Sequence, residues 1–96
     1  MKVVYTDEAL RDLNEILAFL ASNYPAISAS FESRLRAVTK RIGRWPESAQ
    51  KVEQRRGVRT VPLVRYPYRV FYQVTTAVEI LHIHHAARRR PWDGER

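Results

Sequence analysis

Ile27, Phe31, Leu35, Val38 and Ile42 recur at spacings of 4, 4, 3 and 4, and no other segment restricts the fold so tightly. Residues three and four apart stack on one side of an α-helix, so these five form a single apolar stripe. The other side carries Glu32, Arg34, Arg36, Lys40 and Arg41. Such a helix must bury its stripe against another element. Pro25 is suited to open it, Gly43 to cap it, and Pro46 to stop its continuation.

A second helix is expected just upstream. Thr6 offers an N-cap hydroxyl, and Asp7 and Glu8 stand where the helix dipole favours acids. Leu10, Leu13, Leu17 and Leu20 mark an apolar stripe, which predicts a helix from about Asp7 to Ser22. Asn23-Tyr24-Pro25 breaks it. Two amphipathic helices joined by a tight proline turn make an αα-hairpin. Before them, Lys2 to Tyr5 reads as a short strand.

Beyond the hairpin the periodicity changes. Residues 47–56 are polar and read as a loop. Val58 to Leu63, Tyr68 to Val74 and Val78 to His85 then read as three strands, rich in β-branched and aromatic residues. Tyr66-Pro67 and Thr75-Thr76 supply the turns. Pro62 cannot donate to a ladder, so the first of these strands is expected at an edge or bulged. The expected fold is α+β: an N-terminal strand and an αα-hairpin packed on a three- to four-stranded antiparallel sheet. On the middle strand, Val70, Tyr72 and Val74 share one face. Arg69, Phe71 and Gln73 share the other, which reads as the open, functional face.

Ninety-six residues make one domain, expected over 1–92, with 93–96 as a frayed tail. No cysteine is present, which excludes disulfides and fits a cytoplasmic protein. No apolar run approaches the roughly 20 residues of a membrane span, so no membrane partner is expected. Residues 1–53 hold eight Lys/Arg and seven Asp/Glu, whereas 54–96 hold nine Arg and three acids. The net charge of +7 therefore sits almost wholly in the second half. Arginine's planar fork suits phosphates and carboxylates, so this half reads as a surface for nucleic acid or an acidic protein.

Three groups carry possible chemistry. Arg59, Arg69 and the run Arg88, Arg89 and Arg90 are expected to converge near one end of the sheet; such a cluster suits a phosphate backbone. His82, His84 and His85 could bind metal or move protons. A metal site is not expected, because no nearby Asp or Cys completes one. Trp92, beside the arginine run, could stack on a base or anchor a partner. With only three glycines and no phosphate loop, no nucleotide cofactor is expected.

Tyr5-Thr6-Asp7-Glu8-Ala9, Trp45-Pro46, Gly57-Val58-Arg59, Tyr66-Pro67-Tyr68-Arg69-Val70-Phe71-Tyr72 and Ile80-Leu81-His82-Ile83-His84-His85-Ala86-Ala87-Arg88 resemble, in order and spacing, the RelE/ParE toxin superfamily. The resemblance spans nearly the whole chain. It implies a helical hairpin on an antiparallel sheet and a toxin of a type II toxin–antitoxin system. It also implies a cognate antitoxin, small, acidic or amphipathic and DNA-binding, that wraps the toxin.

The superfamily divides by target. RelE-like members cut mRNA on the ribosome, and ParE-like members poison DNA gyrase. On the resemblance, Arg69, His85 and Arg88 are the candidates for RNA cleavage. Two lysines that RelE carries on the preceding strand fall here on Thr60 and Pro62, and the C-terminal Tyr or His of related nucleases has no counterpart. The tail also looks more ParE-like. The expectation is therefore a non-enzymatic gyrase inhibitor without cofactors, the alternative being a metal-independent endoribonuclease. Its target-binding residues would be Arg59, Arg65, Arg69, Phe71, Arg88, Arg89, Arg90 and Trp92.

Overall fold

A computed structural model describes residues 1–87. The expected tail, with Arg88, Arg89, Arg90 and Trp92, lies outside them. The elements run β1 (Val3–Tyr5), α1 (Asp7–Asn23), a 3₁₀ turn (Pro25–Ile27), α2 (Ser28–Arg44), β2 (Gln50–Lys51), β3 (Val58–Pro62), β4 (Tyr68–Val74) and β5 (Val78–His85). The fold is α+β, as expected, but the sheet has five strands in the order β1-β5-β4-β3-β2. It is mixed rather than antiparallel: β1 pairs parallel to β5, and the remaining pairs are antiparallel.

Two differences from expectation concern the strands. The segment read as a loop contains β2, which pairs Gln50 with Thr60 and Lys51 with Arg59. Consequently β3 is an interior strand there. It becomes an edge beyond Thr60, the last residue paired with β2, so at Pro62 the missing N–H costs no ladder bond. The second difference is a register shift in β5: Phe71 pairs with His82 but Tyr72 with Ile80. Leu81 is the extra residue, and the bulge switches which side chains face the helices.

Both helices lie on one sheet face. Ala9, Ile16 and Leu20 from α1 and Phe31, Leu35, Val38 and Ile42 from α2 pack with Leu63, Val70, Tyr72, Val78, Ile80 and Ile83. The α2 stripe is therefore buried as expected, apart from Ile27, which is exposed at the turn. On α1, Leu20 is buried and Leu13 and Leu17 pack against the core, as expected, but Ala9 and Ile16 are also inside and Leu10 is exposed, because Thr6 sets the phase of the helix. Its Oγ1 accepts from Ala9 N at 3.2 Å and donates to Ile80 O at 2.9 Å, while Thr6 N donates to the same carbonyl at 3.0 Å. The N-cap thus also fastens α1 to β5.

Gly43 does not cap α2, which ends at Arg44 with Trp45 as cap. It permits close contact instead. A Cβ there would lie 2.9 Å from Val3 Cγ2 and 3.0 Å from Met1 O, and its carbonyl accepts from the Met1 ammonium at 2.7 Å.

Candidate functional site

The sheet separates the candidate residues into two groups. The pairs Pro62–Arg69, Thr60–Phe71 and Val58–Gln73 put Arg69 on the face opposite the helices, with Phe71 and Gln73. Arg59 pairs with Tyr72 and therefore lies on the helix side. Arg59 and Arg69 do not converge, contrary to expectation, because an odd register offset sends them to opposite faces.

Their partners differ accordingly. Arg59 donates to the carbonyls of Glu47 at 3.1 Å and Ala49 at 2.8 Å, so it anchors the segment entering β2. Arg69 Nε donates to Thr60 Oγ1 at 3.1 Å, which turns the guanidinium towards β3. Arg65 is exposed in the β3–β4 turn with a left-handed φ of 80°. Phe71 is not a surface residue. It is 2% exposed and belongs to a small second core with Val52, Val58 and the half-buried Leu81. A residue covered in this way cannot touch a target without local opening. The signal missed in the sequence was Val52, an apolar residue inside a polar stretch.

The histidines divide as well. Tyr68 pairs with His85 and Arg69 with His84, so His85 faces the helices while His84 shares the Arg69 face. The RNA-cleavage candidates Arg69 and His85 thus stand on opposite sides of the sheet. His85 closes a run of edge-to-face rings: Tyr66–Phe31 at 5.5 Å, Phe31–Tyr68 at 5.6 Å and Tyr68–His85 at 5.4 Å. Tyr66 Oη further donates to Ser30 Oγ at 2.7 Å. These contacts build a rigid wall beside α1.

Between that wall and α1 lies an open groove of about 610 Å³, lined by Asp12, Glu15, Ile16, Phe19, Leu20, Tyr24, Ile27, Tyr66, Pro67, Tyr68, Ile83, His84 and His85. Three of its apolar side chains, Phe19, Tyr24 and Ile27, are exposed. Phe19 and Tyr24 pack together with ring centroids 6.1 Å apart. Along the groove, among the described residues no strand pairs with the edge of β5 beyond Ile80, where β1 ends. Asp12 covers part of it, its Oδ2 accepting from Ile83 N at 3.0 Å.

The same oxygen lies 3.5 Å from His82 Nδ1 and 3.9 Å from His84 Nε2. Contrary to expectation, an acid does join the histidines. The partner comes from α1, far away in the chain.

The arrangement is a basic α+β domain with an apolar groove beside a strand edge that no other described strand covers, a combination suited to binding an extended or helical peptide. Among solved structures it is similar to one described as the chromosomal ParDE TA system from P. aeruginosa. That match has a TM-score of 0.75 at 23% identity and covers 88% of this chain and 95% of that one; it shows a shared fold. No curated protein matches the sequence significantly. The sequence model of the family described as "ParE toxin of type II toxin-antitoxin system, parDE" matches residues 3–90. The chain belongs to this ParE toxin family.

Proposed function

We propose that this chain is a toxin that inhibits DNA gyrase by binding to it, without catalysing a reaction of its own, and that a cognate antitoxin holds it inactive. The reading rests on family membership and on one observation above all. Arg69 and His85 face opposite sides of the sheet, so these two cannot act together on one scissile phosphate. Stabilising a phosphate while removing a 2′-hydroxyl proton needs both groups within about 3 Å of the reacting atoms.

The antitoxin is expected to be small, with an acidic or amphipathic segment. A chain of net charge +7 favours such a partner by long-range attraction. The groove between α1 and the aromatic wall suits the apolar side of that segment, and the open edge of β5 suits its backbone.

The test is supercoiling by purified gyrase, with toxin added in increasing excess. Inhibition or trapped cleaved DNA, relieved by the antitoxin, is the expected result. Unimpaired supercoiling at large excess overturns the reading. In a parallel ribosome translation assay mRNA should stay intact, and toxin-dependent cleavage would restore the endoribonuclease reading.

A further inference from the structure

The contact between Asp12 and the two histidines follows from how the chain is wound. Thr6 ties the start of α1 to Ile80. From Thr6 to Asp12, six residues of helix advance about 9 Å. From Ile80 to Ile83, three residues of strand advance about 10 Å. Helix and strand therefore stay level, and Asp12 arrives beside the Ile83 amide. His82 and His84, either side of Ile83, share the face opposite Ile83. Both rings reach around the strand edge to the same carboxylate.

One ligand atom from each of Asp12, His82 and His84 lies within 4.8 Å of the other two. The carboxylate is 3.5 Å from one ring nitrogen and 3.9 Å from the other. Ligands held at about 2.1 Å around a tetrahedral zinc ion are about 3.4 Å apart, so small side-chain rotations close the set. The two imidazole planes lie at 85° with centroids 5.5 Å apart, edge to face rather than stacked. All three side chains are about one-fifth exposed: held by their surroundings, yet open to an entering ion.

The surroundings fit a cation. The Ile83 N–H bonds the carboxylate and fixes its direction, as outer groups do for metal ligands. A carboxylate offers about four lone-pair directions, so this bond leaves room for an ion. Arg69 pairs with His84 across the strands, but its guanidinium is drawn towards Thr60 on β3, away from β5.

We propose that Asp12, His82 and His84 form a site for a divalent cation of the zinc class. Two imidazoles and one carboxylate favour zinc over magnesium, which prefers six oxygens. Three protein ligands leave a fourth position for water or for a side chain of a bound protein. The ion would clamp α1 to the open edge of β5, at the rim of the groove.

The experiment uses the untagged full-length chain, stripped with EDTA and titrated with ZnCl₂ by calorimetry. One zinc per chain is expected, and zinc at 100 times Kd should raise Tm by at least about 5 °C. Cobalt should give the visible absorption of a tetrahedral site, and magnesium should give no heat. Asp12→Asn keeps an acceptor for the Ile83 amide but loses the charged ligand. Asp12→Asn, His82→Gln and His84→Gln should each weaken zinc binding at least about tenfold, the loss that outer-shell changes alone can cause. His85→Gln should bind as the parent does. Circular dichroism identifies any variant that fails to fold, and the remaining variants then decide. Absence of zinc uptake overturns the proposal. So does parental affinity in any folded variant of the three, or loss of binding in His85→Gln.

Discussion

Arg69 Nε donates to Thr60 Oγ1 across 3.1 Å, joining β4 to β3 on the face away from the helices. Thr60 is buried, at 5% exposure, and this bond satisfies its hydroxyl. Thr60→Val keeps the shape and removes the acceptor. Arg69 is half-buried and can turn to water, so the cost is that of one hydrogen bond, about 1 kcal/mol. Urea unfolding should show it as a lower midpoint with unchanged m. An unchanged midpoint would mean that the bond carries no net stability.

Gly43 yields a prediction opposite in sign to the usual one. Replacing glycine by alanine inside a helix normally stabilises by about 1 kcal/mol. Here the new Cβ would lie 2.9 Å from Val3 Cγ2 and 3.0 Å from the Met1 carbonyl, so either β1 or the end of α2 must shift. Gly43→Ala should destabilise by about 1–3 kcal/mol, the range of overpacked sites. Thermal melts decide the sign directly.

Local chemistry explains which parts of this fold were legible. Thr6 with Asp7 and Glu8 located the start of α1, and the α2 stripe named Phe31, Leu35, Val38 and Ile42 as core. These are statements about neighbours in sequence. On α1, Leu13, Leu17 and Leu20 pack inward as their spacing implies, whereas the exposure of Leu10 and the burial of Ala9 depend on Thr6 meeting Ile80, a contact spanning 74 residues. The Phe71 alternation was correct, yet the residue is covered by Val52, and nothing in the spacing says that a polar stretch folds over that face. Plain strand alternation, unbroken from His82 onwards, separates His82 and His84 from His85. Asp12 joins the first two across 71 residues of chain to Ile83, a pairing that no short-range pattern contains.

Tyr72 should make the fold sensitive to alkali. It is fully buried, and its Oη donates to Pro46 O at 2.6 Å. Burial raises its pKa above 10.0, partly opposed by Arg59 and by a hydrogen bond from the Ala49 backbone. Tyr5 is raised by burial as well. With the folded pKa above the unfolded one, the folded state holds the proton more tightly. Stability is then complete below pH of about 10 and is lost as the pH rises through the folded value. Tyr72→Phe should cost about 1 kcal/mol at neutral pH, since Pro46 O loses its donor. It should also reduce the decline above pH 10, with a residual slope left by Tyr5. Urea titrations between pH 7 and 11 give both numbers, and an identical alkaline slope in the variant would refute the assignment.

The groove prediction separates binding from folding. Phe19 is 50% exposed on α1, and its ring packs on Tyr24, at 6.1 Å between ring centroids. Truncating it forfeits an aromatic pair and little buried area, so Phe19→Ala should lower stability by no more than about 1 kcal/mol. If the antitoxin lays its apolar side in this groove, the ring is desolvated in the complex and the loss is larger. Aromatic anchors at such centres contribute about 2 kcal/mol or more, which is about thirtyfold in Kd. Calorimetry of the toxin–antitoxin pair, beside melts of the toxin alone, should therefore show affinity falling well beyond stability. Equal losses in the two measurements would place the antitoxin elsewhere on the domain.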